Sequence, residues 1–118
     1  MRRHEMEKQM ILATVRMAIP AKKSGEALRI LRSMAEQCRD KPGCLDCHIY
    51  EDLLGKNVLM LEEVWKAQED LDLHMRSDEY RNLLLVLEMA RKHPEIRFDT
   101  ISSSAGIETI EKARNCAR

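Results

Sequence analysis

The sequence predicts an α+β fold of ferredoxin-like type, a β-α-β-β-α-β chain forming one antiparallel four-stranded sheet with helices on one side. Three observations predict it. Four segments alternate or run apolar at strand length. Two longer stretches repeat apolar residues at helical spacing between breakers. The strands carry apolar residues on both faces, although helices can cover only one.

The first strand is Met10 to Ile19. It sets Ile11, Ala13, Val15 and Met17 on one face and Leu12, Thr14, Arg16 and Ala18 on the other, and Pro20 ends it. Ser24 is the expected N-cap of a helix running to about Arg39, with Ala27, Leu28, Leu31, Met34, Ala35 and Cys38 as its stripe. Lys41-Pro42-Gly43 stops that helix. Cys44 to Leu53 follows as a strand, Leu54 to Asn57 as a turn, and Val58 to Trp65 as a third strand. A short helix over Ala67 to Met75 aligns Ala67, Leu71 and His74. Ser77-Asp78-Glu79 reads as the cap of a helix reaching about Lys92, with Tyr80, Leu83, Leu84, Leu87 and Ala90 as its seam. Glu95 to Ser102 is the fourth strand. Residues 1–9 read as an N-terminal extension, 10–102 as the folded domain, and 103–118 as a C-terminal tail with a short helix. The apolar second face of the sheet predicts a homodimer, two sheets facing each other.

Composition excludes several functions. Among 118 residues, 20 Lys+Arg balance 20 Asp+Glu, so no nucleic-acid or anionic-membrane partner is expected. Aromatic residues make up only 3 %, too few to stack on single strands. No apolar run is long enough for a membrane helix. Glu5, Glu7 and Arg16 break up any secretory leader, so a cytoplasmic location with reduced thiols is expected.

One segment is more specific than the pattern. Glu63-Val64-Trp65 is followed, after eight intervening residues, by His74, then by Ser77 and Tyr80, while Pro42-Gly43-Cys44 opens the second strand upstream. These features resemble the antibiotic biosynthesis monooxygenase family of dimeric α+β barrels, across about residues 10–102. The resemblance implies a pocket between sheet and helices, lined by the end of the third strand and the helices after it. Trp65, Leu61, Leu71 and Tyr80 would then contact a small apolar or aromatic molecule. His74 would act as a base on an acidic phenol or quinol, with Glu63 as a second proton-transfer candidate. The implied activity is monooxygenation of an electron-rich aromatic or quinol-like compound without a cofactor. Alternatives within the resemblance are a ligand-binding or stress-related barrel without turnover, an isomerase of a small keto compound, and haem degradation. In anthrone-oxidising members an Asn four residues before the Trp and a Tyr six after it are expected; Leu61 and Leu71 stand there.

Each candidate also has a plainer reading. Trp65 suits core packing, His74 a backbone-bonded semi-buried site, and Glu63 an ion pair with Arg16. His48 and Tyr50 share a strand face and suit exposed or interface positions. Cys44-Leu45-Asp46-Cys47-His48 matches the covalent haem pattern. In a regular strand, however, residues three apart face opposite ways, so the two thiols are not expected to share a haem edge, a zinc ion or a disulfide. The methionines are spread without a ligand-like cluster, and no metal site is expected.

Overall fold

The computed structural model describes residues 9–116. The expected N-terminal extension therefore lies, Gln9 apart, outside the described residues. The elements are β1 (Met10–Ala18), α1 (Ala21–Cys38), β2 (Cys44–Glu51), β3 (Val58–Trp65), α2 (Gln68–Arg76), α3 (Tyr80–Met89), β4 (Glu95–Ile101) and α4 (Ile107–Cys116). The sheet has the order β2-β3-β1-β4 and every pairing is antiparallel. The ferredoxin-like α+β arrangement is thus as expected. No helix among the described residues is long and apolar enough to cross a membrane.

Register follows burial. Ile11, Ala13, Val15 and Met17 of β1 pair with Trp65, Glu63, Leu61 and Leu59 of β3, and these eight side chains are buried against the helices. Their neighbours Leu12, Thr14, Arg16 and Ala18 pair with Val64, Glu62, Met60 and Val58 on the opposite, open face. α1 presents Ala27, Leu31, Met34, Ala35 and Cys38 to the core, the stripe read from the sequence with Leu28 at its margin. On the edge strand β4, Ile96 and Phe98 sit opposite Val15 and Ala13, yet both are about half exposed, because the helices stop short of this strand.

Several local expectations are corrected. Ser24 does not cap α1; the helix starts earlier, at Ala21, with Pro20 as the N-cap. The ring holds Pro20 at φ −58°, and its carbonyl accepts the Lys23 N–H at 2.9 Å, so no hydroxyl is needed. Ser77 does not cap α3 either: its hydroxyl donates to the His74 carbonyl at 2.6 Å and closes α2 instead. Leu84 leaves the α3 seam and is largely exposed, while Val86 takes the fully buried position beside Leu83. β2 ends at Glu51, because Asp52 turns to accept the Leu54 N–H at 2.8 Å and an Arg16 guanidinium hydrogen at 2.6 Å.

The last correction concerns the start of β2. Cys44 pairs with Trp65 and Asp46 with Val64, so Leu45 is an extra residue in a β-bulge. The bulge shifts the alternation by one, and Cys44 and Cys47 both lie on the helix side, opposite Trp65 and Glu63. The expectation of opposite faces assumed a regular strand.

Candidate functional site

The site forms where the end of β3, the α1–β2 turn, α2 and the start of α3 meet. Gly43 makes this junction possible. Its φ of +84° is left-handed, and a Cβ there would collide with the side chain of Asp70 in the first turn of α2. Its carbonyl accepts the Lys66 N–H at 2.8 Å and fixes the turn to the end of β3.

Alternation along β3 sends Glu63 and Trp65 to the same side. Trp65 is fully buried, and its indole N–H donates to Glu63 Oε1 at 2.9 Å. The other carboxylate oxygen, Oε2, lies 3.3 Å from His74 Nε2. The helical stripe of α2 brings His74 to that point, with its ring stacked on Trp65 at a centroid distance of 4.7 Å. The edge of Tyr80 meets the other side of the imidazole at 5.2 Å and 88°. Lys41, in the α1–β2 turn, reaches His74 Nδ1 at 3.1 Å, Ser77 Oγ at 3.0 Å and Glu79 Oε1 at 3.0 Å. An ammonium has only hydrogens to give, so Nδ1 is the acceptor and the imidazole hydrogen sits on Nε2, directed at Glu63. A continuous polar chain therefore runs Lys41–His74–Glu63–Trp65 beneath α2.

Glu63 is 3 % exposed and His74 2 %, which makes them the buried polar residues of the described chain. Every buried side-chain polar atom described has a partner. Burial, with a smaller contribution from the Glu63 charge, pushes the Tyr80 phenol up to about 12. Lys41 holds the Glu79 carboxyl below its usual range.

The expected site residues thus fall into two groups. His74, Glu63, Trp65 and Tyr80 come together. Leu61 and Leu71 are each 1 % exposed and pack into the core around them. The suggested Glu63–Arg16 ion pair is not formed, since Arg16 lies on the open face and pairs with Asp52. The cavities found between α1 and β2 and along the β1–β3 strand ends lie away from Trp65, His74 and Glu63. One of about 330 Å³ lies between α1 and β2, bordered by Arg32, Arg39, His48 and Tyr50. His48 and Tyr50 otherwise sit on the open face, across from Glu62 and Met60.

Lys41 was missed by the sequence reading, which took Lys-Pro-Gly only as a helix stop. So were the thiols. Cys38 Sγ lies 3.8 Å from Cys44 Sγ. The neighbouring Cys47 thiol, burial and the Glu63 charge raise the Cys38 thiol well above its ordinary range, and burial raises Cys44. Cys38 was visible on the α1 stripe, but its partners needed the bulge.

A family profile described as antibiotic biosynthesis monooxygenase matches residues 10–84, more than half of the chain. Comparison with curated proteins gives no match. Solved structures agree on the fold. A conserved protein from Methanosarcina mazei Go1 is 26 % identical, with a TM-score of 0.74 over 82 % of this chain and 97 % of that one. A protein from Mycobacterium tuberculosis is 23 % identical, with a TM-score of 0.72 over 82 % and 99 %. An antibiotic biosynthesis monooxygenase is 18 % identical, with a TM-score of 0.71 over 79 % and 99 %.

Proposed function

The chain belongs to the antibiotic biosynthesis monooxygenase family, and from that membership we propose a monooxygenase that oxidises a small electron-rich aromatic or quinol-like compound with dioxygen, using no cofactor. The observation that supports this most is the Lys41–His74–Glu63 chain. The imidazole lone pair is on Nδ1, at the end where Lys41 is only partly buried. A substrate hydroxyl entering beside Lys41 and Tyr80 gives its proton to Nδ1. Glu63 stabilises the resulting imidazolium through Nε2–H, and the Lys41 ammonium stabilises the substrate anion. Lys41 keeps Ser77 and Glu79 as partners while it yields Nδ1. The anion then reacts with dioxygen. One oxygen atom enters the product as a carbonyl, and the other leaves as water with two substrate hydrogens.

The proposed functional unit is a homodimer in which the open sheet faces, carrying Leu12, Met60 and Val64, cover each other. Oxygen uptake with a panel of hydroquinones tests the activity. Turnover by the wild type and its loss in His74→Gln are expected. No uptake across the panel, or equal uptake by the variant, counts against the reading.

One observation favours a second reading, a small-molecule-binding barrel without turnover. Leu61 and Leu71 are buried and apolar at the two positions where polar groups would orient an anthrone. Thermal stabilisation by apolar ligands without oxygen uptake is its signature.

A further inference from the structure

The proposed oxygenation uses none of the thiols, yet Cys38 meets the same buried carboxylate. Cys38, the last residue of α1, lies 3.8 Å from Cys44 through sulfur. On its other side, one donor atom each from Cys38, Glu63 and His74 lie within 4.8 Å of one another, and all three residues are buried. These groups come from α1, the β2 bulge, β3 and α2, so the fold itself assembles them.

We propose that Cys38, Glu63 and His74 bind one divalent ion of borderline softness, with zinc(II) the best chemical match, and that Cys44, 3.8 Å from Cys38 but outside that group of three, moves in as the fourth ligand. Two thiolates, an imidazole and a carboxylate are a zinc donor set. A tetrahedral ion with Zn–S bonds of about 2.3 Å holds its sulfurs about 3.8 Å apart, the separation already present between Cys38 and Cys44. The outer contacts of such a site exist as well: the Trp65 N–H holds the second oxygen of Glu63, and Lys41 stands behind the imidazole.

Protons balance. Binding releases one proton from each thiol. The imidazole hydrogen moves from Nε2, which takes the ion, to Nδ1. Lys41 then turns to Ser77 and Glu79, which it already contacts. Three anionic ligands against a divalent ion leave one negative charge beside the Lys41 ammonium. Cys47 stays a neighbour of Cys38, not a ligand.

The site does not depend on the oxygenation reading. It opposes it chemically, because an ion on Nε2 puts the proton on Nδ1 and removes the base. The test is optical. The reduced, metal-free full chain, in a Cys116→Ser background, is titrated with cobalt(II) and then with zinc(II). Expected are one tetrahedral cobalt per chain with a thiolate-to-cobalt charge-transfer band, displacement by zinc, and release of two protons per ion. Cys44→Ser removes about half of the charge-transfer intensity, whereas Cys47→Ala leaves it unchanged. Because Cys44 is only half-buried, its variant folds even where Cys38→Ser does not, as circular dichroism checks. No binding, binding without the thiolate band, or a band unchanged in Cys44→Ser overturns the proposal. Oxygen uptake by the metal-free chain is measured separately, so failure of one reading leaves the other standing.

Discussion

Glu62 and Glu63 are neighbours on β3 with identical side chains and opposite surroundings. Glu62 points to the open face, opposite Thr14 and His48, where water reaches it. Glu63 points under the helices, 3 % exposed, and accepts hydrogens from Trp65 and His74. A carboxylate under a helical layer persists only where donors replace its lost water. The contrast separates the two sides of the sheet: one side carries a single buried polar chain whose members depend on each other, the other a mixed surface with exposed pairs such as Arg16–Asp52.

The largest expected effect comes from breaking the buried side. Glu63→Ala strands two buried N–H groups and should cost about 3–5 kcal/mol, as for removal of one partner of a buried polar pair. Glu62→Ala, which leaves no buried N–H without its partner, should cost less, about 1 kcal/mol. Urea unfolding of both variants gives the difference, and a cost below about 1 kcal/mol for Glu63→Ala would show that the polar chain does not act as a unit.

The open side is sharpened by a charge. Val64→Lys sits opposite Leu12, on the face proposed to meet a second copy. Light scattering should report a dimer for the wild type and a monomer for the variant, with circular dichroism unchanged. A variant with the wild-type mass would mean that this face is not the interface.

Much of this contrast was legible in the sequence because it follows from period alone. Alternation placed Glu63 with Trp65, and the 3.6-residue repeat placed Leu71 and His74 on one stripe. The element order then brought β3 and α2 together. What stayed hidden depends on contacts distant in sequence or on single-residue irregularities. Lys41 reaches His74 across 33 positions, from a turn whose composition announces only a helix stop. The bulge at Leu45 carries no composition signal, yet it reverses the facing of Cys44 relative to Cys47. Ser77 had two helices within reach, and its hydroxyl went to the one behind it.

Tyr80 provides a smaller test of the buried side. Burial raises its phenol from 10 to about 12, so the folded state favours the neutral form. Its contribution to stability is complete below the unfolded value near pH 10 and is lost as pH rises toward 12. Unfolding free energy measured across this window should fall more steeply for the wild type than for Tyr80→Phe. Parallel slopes would mean that the ring edge on His74 is not shielded from water.

Asp52 gives the smallest effect, on the open side. The Leu54 N–H and the Arg16 guanidinium hold its carboxyl below the ordinary 3.8. The sign is opposite to that of Tyr80: the contribution is complete above the unfolded value and is lost as pH falls through the lower folded one. Solvent screens the exposed Arg16–Asp52 pair, so its removal should barely move overall stability. The carboxyl carbon of Asp52, followed by NMR, should titrate below 3.8 in the wild type. In Arg16→Ala it should move upward without returning the whole way, because the Leu54 N–H remains. A full return would assign the shift to the guanidinium alone, and the loop closing β2 would then depend on an ion pair, not on its own backbone.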